Sequence, residues 1–266
     1  MSLPETLLAL PDDQVDLWQV DMDAVCDGPL LDRYRAILAP EEREKETRFH
    51  FARDRLLHLV ARTLVRTVLS RYVPIAPRDW CFTTNAYGRP MIANHDALAA
   101  NISFNISHTE GMVLMAVTRG RRIGIDAERE ARIVPLEMAE HFFSASESAA
   151  LRLLAPAVQQ ERFFALWTLK ESYIKARGMG LSIPLADFSF ELDGEMTIRV
   201  SFDDGLLDQP RHWQFWQWRP SPDHFAALCV EAAAETRIRL CMHNVMPLVY
   251  SDQISYDLLR SSAGQD

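Results

Sequence analysis

The feature that most narrows the fold is a weak internal repeat. The second half of the chain replays the first at an offset of between 105 and 113 residues. Ala39-Pro-Glu-Glu is echoed by Ser144-Ala-Ser-Glu, and Asp54-Arg-Leu-Leu-His-Leu by Glu161-Arg-Phe-Phe-Ala-Leu. Asp79-Trp-Cys-Phe returns as Asp187-Phe-Ser-Phe, Gly88-Arg-Pro-Met-Ile as Gly194-Glu-Met-Thr-Ile, and Glu110-Gly-Met-Val-Leu-Met as Asp223-His-Phe-Ala-Ala-Leu. Matches in a common order predict a duplicated supersecondary unit. Each unit reads as a strand, a short helix, a long helix and then antiparallel strands, an α+β arrangement. The halves are expected at residues 1–120 and 121–245, with a ligand-binding cleft between them. Residues 246–266 have no counterpart and are expected to form a partly mobile tail.

The local signals agree. Val15–Asp21 alternates as a strand, after a loose lead-in over residues 1–14. Leu30–Leu38 is a short helix candidate, and Pro40 with Glu41 and Glu42 suits a helix start. Leu56, Leu59, Val60, Thr63, Leu64, Thr67 and Val68 keep a helical period. Asp79–Thr84 and Met112–Thr118 are expected strands, and Asn85–Pro90 a turn. A hydrophobic share of 48% suffices for a core, and a net charge of −9 argues against nonspecific nucleic-acid binding. Cys26, Cys81, Cys229 and Cys241 are scattered, as in a reduced cytoplasmic protein without disulfides or a zinc site. Neither a signal peptide nor a membrane span is evident.

The chemistry concentrates in two stretches. Ile123-Gly-Ile-Asp-Ala-Glu is an apolar strand running into Asp126 and Glu128, which share one side of an extended chain. Trp167-Thr-Leu-Lys-Glu-Ser-Tyr-Ile-Lys reads as helix, with Trp167, Glu171 and Lys175 on one face. Alone, the first suits a polar turn and the second a surface ion pair. Together they place three carboxylates beside a lysine, a set suited to Mg2+ carrying a phosphate or pyrophosphate. Lys170 and Lys175 bracket Glu171, and Gly178 and Gly180 end the helix. Ser107 and His108 are expected in a turn able to meet phosphate oxygens, Arg89 in a turn that presents a cation, and Lys45 and Arg53 on the early helices. No P-loop, dinucleotide fingerprint, nucleophile elbow or zincin motif occurs.

These residues resemble the 4′-phosphopantetheinyl transferases of the two-half, surfactin-synthetase-activating type, from about Leu38 to Val230. The resemblance rests on Tyr-Gly-Arg-Pro (87–90), Phe-Asn-Ile-Ser-His (104–108), Ile-Gly-Ile-Asp-Ala-Glu (123–128), Phe-Phe-Ser (142–144) and Trp-Thr-Leu-Lys-Glu-Ser-Tyr-Ile-Lys (167–175). It implies two α+β halves related by a pseudo-twofold axis, with coenzyme A as substrate in the cleft. Asp126, Glu128 and Glu171 would hold Mg2+, while Lys170, Lys175, His108, Ser107 and Arg89 would contact coenzyme A. Lys45 and Arg53 would lie near the 3′-phosphate, although Glu42 replaces one basic residue of the family's early-helix pattern. The acceptor is a serine of an apo acyl or peptidyl carrier protein, with Glu171 as candidate base. A carrier patch is expected over residues 131–143, with Arg132, His141, Phe142 and Phe143. The enzyme is expected to be a monomer. A Mg2+-dependent hydrolase of coenzyme A, or a non-catalytic module of the same fold, are the competing readings.

Overall fold

A computed structural model describes residues 7–25, 28–130, 134–192 and 196–262. Cys26, Ala131–Ile133 with Arg132, Gly194 and the last four residues, on all of which expectations fell, lie outside the described residues. The chain divides into two compact units: residues 7–84, 90–120 and 239–254 in the first, and residues 85–89, 121–238 and 255–262 in the second. Both are mixed α+β.

The first unit wraps a five-stranded sheet around one long helix. Its strands are β1 (Gln14–Asp21), β4 (Ile102–Thr109), β5 (Met112–Arg119), β11 (Arg239–Met246) and β12 (Tyr250–Ile254). Their order is β12-β11-β1-β5-β4, and β1 with β11 is the parallel pair. Helix α1 (Gly28–Arg35) is followed by α2 (Pro40–Arg48) and the long α3 (Ala52–Leu69). The apolar stripe of α3, with Leu59, Val60, Leu64 and Val68, packs into a core with Trp18, Tyr34, Trp80, Phe104 and Met115. A short hairpin pairs β2 (Phe82–Thr84) with β3 (Pro90–Ile92). The preceding Pro77–Asp79 forms a 3-10 turn, so the strand expected from Asp79 is shorter.

The second unit repeats this order. Strand β6 (Ile123–Arg129) leads to α4 (Glu137–Phe142), α5 (Ala145–Leu153) and the long α6 (Pro156–Arg177). Strands β7 (Phe188–Glu191) and β8 (Arg199–Phe202) pair, and β9 (Trp213–Ser221) and β10 (His224–Glu231) complete the sheet with β13 (Leu258–Ser261). Its order is β13-β9-β10-β6. Strand order β1-β5-β4 within one unit thus matches β6-β10-β9 within the other.

The repeat extends to a buried electrostatic detail. In the first unit Glu42, at the third position of α2, accepts from the Ala39 N–H at 3.0 Å and from Arg66 of α3 at 2.8 Å, and it also pairs with Arg62. In the second, Glu147 of α5 completes a capping box with Ser144 and holds Lys170 of α6 at 2.8 Å. Each glutamate therefore ties a short helix to a long one. That accounts for an acid at position 42.

The expected boundary at 245 and the separate tail need correction. Residues 239–246 form a strand inside the first sheet, because β1 and β5 leave one edge of β1 unpaired until β11 fills it. Within 246–262, β12 extends that sheet while β13 pairs with β9. Cys81, Cys229 and Cys241 are free thiols. Among the described residues no helix is long and apolar enough to cross a membrane.

Candidate functional site

A glycine in β6 sets the distance at which the second unit's reactive groups meet. On the face of β6 that carries Asp126 and Glu128, the third residue is Gly124. A Cβ on Gly124 would overlap the Ser172 carbonyl oxygen and the Ala176 amide nitrogen of α6, and would lie 3.0 Å from the Ala176 Cα. Strand and helix backbones therefore touch, as an isolated glycine in a strand permits. One step along the strand, Asp126 is 4% exposed and its Oδ1 accepts from the Lys175 Nζ at 2.6 Å. Glu171 lies one helical turn before Lys175. Asp126 and Glu128 both lie within β6 rather than beyond its end, on the edge strand of the sheet.

The electrostatics show how closely the acids share this space. Burial most of all, then the charge on Asp126 and more weakly that on Glu128, push the Glu171 carboxyl up to about 7 against the opposing pull of Lys175. Carboxylates in one field resist joint ionisation. Their hard oxygens fit a divalent cation such as Mg2+ in donor chemistry. Among the described residues, however, no three Asp, Glu, His or Cys side chains are gathered into a ready metal cage. Here the cation facing Asp126 is the protein's own Lys175.

Two residues expected at phosphates have protein partners in the structure. Lys170 is wholly buried. Its ammonium donates to Glu147 at 2.8 Å and to the carbonyls of Leu185 and Phe188 at 2.7 and 2.5 Å, and lies 4.3 Å from the Phe188 ring centroid. Burial holds its pKa below the ordinary lysine value, while Glu147 pulls it upward. Its charge serves the core. Arg89 sits in the turn Asn85–Arg89, which groups with the second unit. Its guanidinium donates to the carbonyls of Lys175, Ala176 (2.9 Å) and Ile123 (2.8 Å). Arg89 thus caps the C-terminus of α6, whose last carbonyls carry partial negative charge, and ties it to the start of β6. Asn85 adds a bond from Nδ2 to the Gly178 carbonyl at 2.6 Å. Gly178 itself closes α6 in the left-handed conformation, φ 68°.

The other expected residues belong to the first unit. Ser107 and His108 lie in β4, paired with Leu114 and Val113, rather than in a turn. Ser107 is buried and His108 exposed. Lys45 of α2 and Arg53 of α3 are exposed, Arg53 with Asp54 at 3.6 Å. In the described part of the expected carrier patch, His141 is exposed, Phe142 meets Trp167 edge-on at 5.5 Å, and Phe143 is core.

Gly124, Asn85 and the Glu147–Lys170 pair carried no expectation. A lone glycine inside an apolar strand was the available signal for the first. A Gly-ended helix whose orphan carbonyls need donors was the signal for the second. Gly124→Ala is expected to destabilise the protein by about 1–3 kcal/mol, because backbone cannot yield to the new methyl as a side chain could. It should also slow any reaction that needs Lys175 against Asp126. Chemical denaturation checks the first effect, and an unchanged midpoint would mean that the two backbones are not in contact.

Comparison with known proteins gives a consistent picture. A family model described as the 4′-phosphopantetheinyl transferase superfamily matches residues 122–229, and one described as 4′-phosphopantetheinyl transferase, N-terminal, matches residues 30–119. The chain is 37% identical over 186 residues to the 4′-phosphopantetheinyl transferase Sfp of Bacillus subtilis, covering 69% of this chain and 80% of that protein. It is 34% identical over 176 residues to the 4′-phosphopantetheinyl transferase HetI of a Nostoc species, covering 66% of this chain and 73% of that one.

Proposed function

The chain belongs to the 4′-phosphopantetheinyl transferase superfamily, and from that premise we propose that it moves the 4′-phosphopantetheine group of coenzyme A onto a serine of an apo acyl or peptidyl carrier protein. The observation that carries the reading is the meeting of Asp126, Glu171 and Lys175 across the Gly124 contact. Asp126, Glu128 and Glu171 would hold Mg2+. When bound, the ion supplies charge neutralisation for the pyrophosphate.

The residues divide the work. Phosphoryl transfer needs positioning and electrostatic stabilisation more than covalent help. Lys175 reaches from α6 on a flexible four-carbon stem and can pass its ammonium from Asp126 to a phosphate oxygen. Glu171, with its pKa raised to about 7, can accept a proton near neutral pH. The carrier serine oxygen forms a bond to the β-phosphorus, and the bond from that phosphorus to the bridging oxygen breaks. The serine proton passes to Glu171, and adenosine 3′,5′-bisphosphate leaves with the electron pair. Ser107, His108, Lys45 and Arg53 are proposed to contact coenzyme A phosphates on the family pattern. Arg89 is proposed to act through the C-terminus of α6 that it caps, and Lys170 through the core.

Enzyme, coenzyme A, Mg2+ and an apo carrier should yield a carrier heavier by one phosphopantetheine group, with an equal amount of the bisphosphate. Mass spectrometry of carrier and nucleotide reads both. Replacing the carrier's serine by alanine should abolish both products. Bisphosphate release that persists without the serine would establish the hydrolase reading instead.

A further inference from the structure

A cavity in the first unit lies outside all of this chemistry. It is an open depression of about 500 Å3 between Arg33 of α1, the end of α3 at Thr67 and Arg71, and the β11–β12 turn at Leu248, Tyr250 and Ser251. That size falls within the range of about 300–1,000 Å3 usual for small-molecule sites. Among the described residues no acidic one lines it, in a chain with 37 acidic against 28 basic residues.

Its two arginines are both turned to neutral partners. Arg33 Nη2 donates to the Leu248 carbonyl at 3.0 Å, and Arg71 Nη1 donates to the Ser251 Oγ at 2.5 Å. The Arg71 guanidinium also lies 4.9 Å above the Trp18 ring. Among the described residues neither arginine is paired with a carboxylate. Burial lowers the Arg71 pKa from its ordinary value against the opposing fields of Tyr72 and Asp16, so its charge is held against a desolvation cost only partly offset. A guanidinium offers five donors in a planar fork, and each of these uses few of them here.

The rim adds an independent sign. Leu248 adopts φ 65°, a left-handed conformation that favours glycine. The strained residue is the one whose carbonyl holds Arg33 at the cavity. Strain of this kind is retained where surrounding structure enforces it, often at ligand sites. Beside it Val249 and Tyr250 are 58% and 44% exposed, an apolar lip next to the two cations.

We propose that this cavity binds a small amphiphilic organic anion, with a carboxylate or phosphate head on the Arg33–Arg71 pair and a short apolar body against the Leu248–Tyr250 lip. Carboxylate and phosphate share the geometry that a guanidinium fork reads.

Hexanoate, hexyl phosphate and inorganic phosphate are the probes, titrated calorimetrically into the full chain. At least one hexyl compound should bind saturably at one site. Arg33→Ala and Arg71→Lys should each weaken that binding by about tenfold, the loss expected for a charged hydrogen bond. Arg33 is exposed, so its variant remains decisive if Arg71→Lys folds poorly. Asp126→Asn should leave the affinity unchanged, which separates this site from the transferase site. Absence of saturable binding by both hexyl compounds would overturn the proposal. So would binding insensitive to both arginine variants, binding lost in Asp126→Asn, or inorganic phosphate binding as tightly as hexyl phosphate.

Discussion

Replacing Glu171 by glutamine is expected to cut carrier modification by about 10²–10⁴-fold, the range for losing a general base, while stabilising the metal-free protein above pH 7. The second effect follows from the raised pKa. Glu171 titrates near 7 when folded, against an ordinary value of 4.5. The folded state therefore holds this proton more tightly than the unfolded chain. The stability it contributes is complete below about pH 4.5 and is lost as pH rises through about 7. A shift of that size corresponds to on the order of 3 kcal/mol. The substituted amide stays neutral at every pH, so the two proteins should melt alike at pH 4 and diverge at pH 8, with the variant higher. Saturating Mg2+ should narrow the gap by stabilising the wild type. Melting curves at the two pH values, with and without Mg2+, read all of this without an activity assay. A variant that melts below the wild type at pH 8 would remove the carboxylate cluster from the account, whatever its turnover.

The grouping of Asp126, Glu171 and Lys175 was legible because two periodicities bring these side chains into line. Alternation along β6 puts Asp126 and Glu128 on one side, and the turn of α6 stacks Glu171 on Lys175. The α+β class was legible from the ordered echoes, since each unit separately carries the same succession of elements. What could not be read depends on long-range packing. Lys170 precedes Glu171 by one residue, which turns it about 100° around the helix, so adjacency in sequence says nothing about sharing a ligand. Arg89 lies in an exposed-looking turn, yet the electronegative end of α6 captures it. The parallel partner of β1 comes from residue 239 onward, and no local pattern marks so distant a pairing. Gly124 was visible, but its reason lies in α6, across the contact it permits.

Lys170 offers the sharpest separation of a structural cation from a ligand-binding one. Lys170→Met is expected to cost about 3–5 kcal/mol, the usual range when one partner of a buried ion pair is removed. The methionine keeps most of the volume, so the loss comes chiefly from the charge stranded on Glu147. That carboxylate would still accept from the Ser144 and Phe190 N–H groups at 2.9 and 2.8 Å. Two neutral donors do not replace an ammonium at 2.8 Å in a site where both side chains are 1% exposed or less. The double variant Lys170→Met with Glu147→Gln should regain part of the loss, because it removes the stranded charge and keeps an amide oxygen for one of those donors. Lys175→Met should show the opposite profile. Its side chain is 27% exposed, against 6% for Asp126, so water relieves part of the stranded charge and the fold should lose less than in Lys170→Met, while carrier modification should fall steeply. Denaturation midpoints and the KM for coenzyme A, measured on the folded fraction of each variant, distinguish the roles. Lys170→Met with an unchanged midpoint and a raised KM would return that lysine to the phosphates.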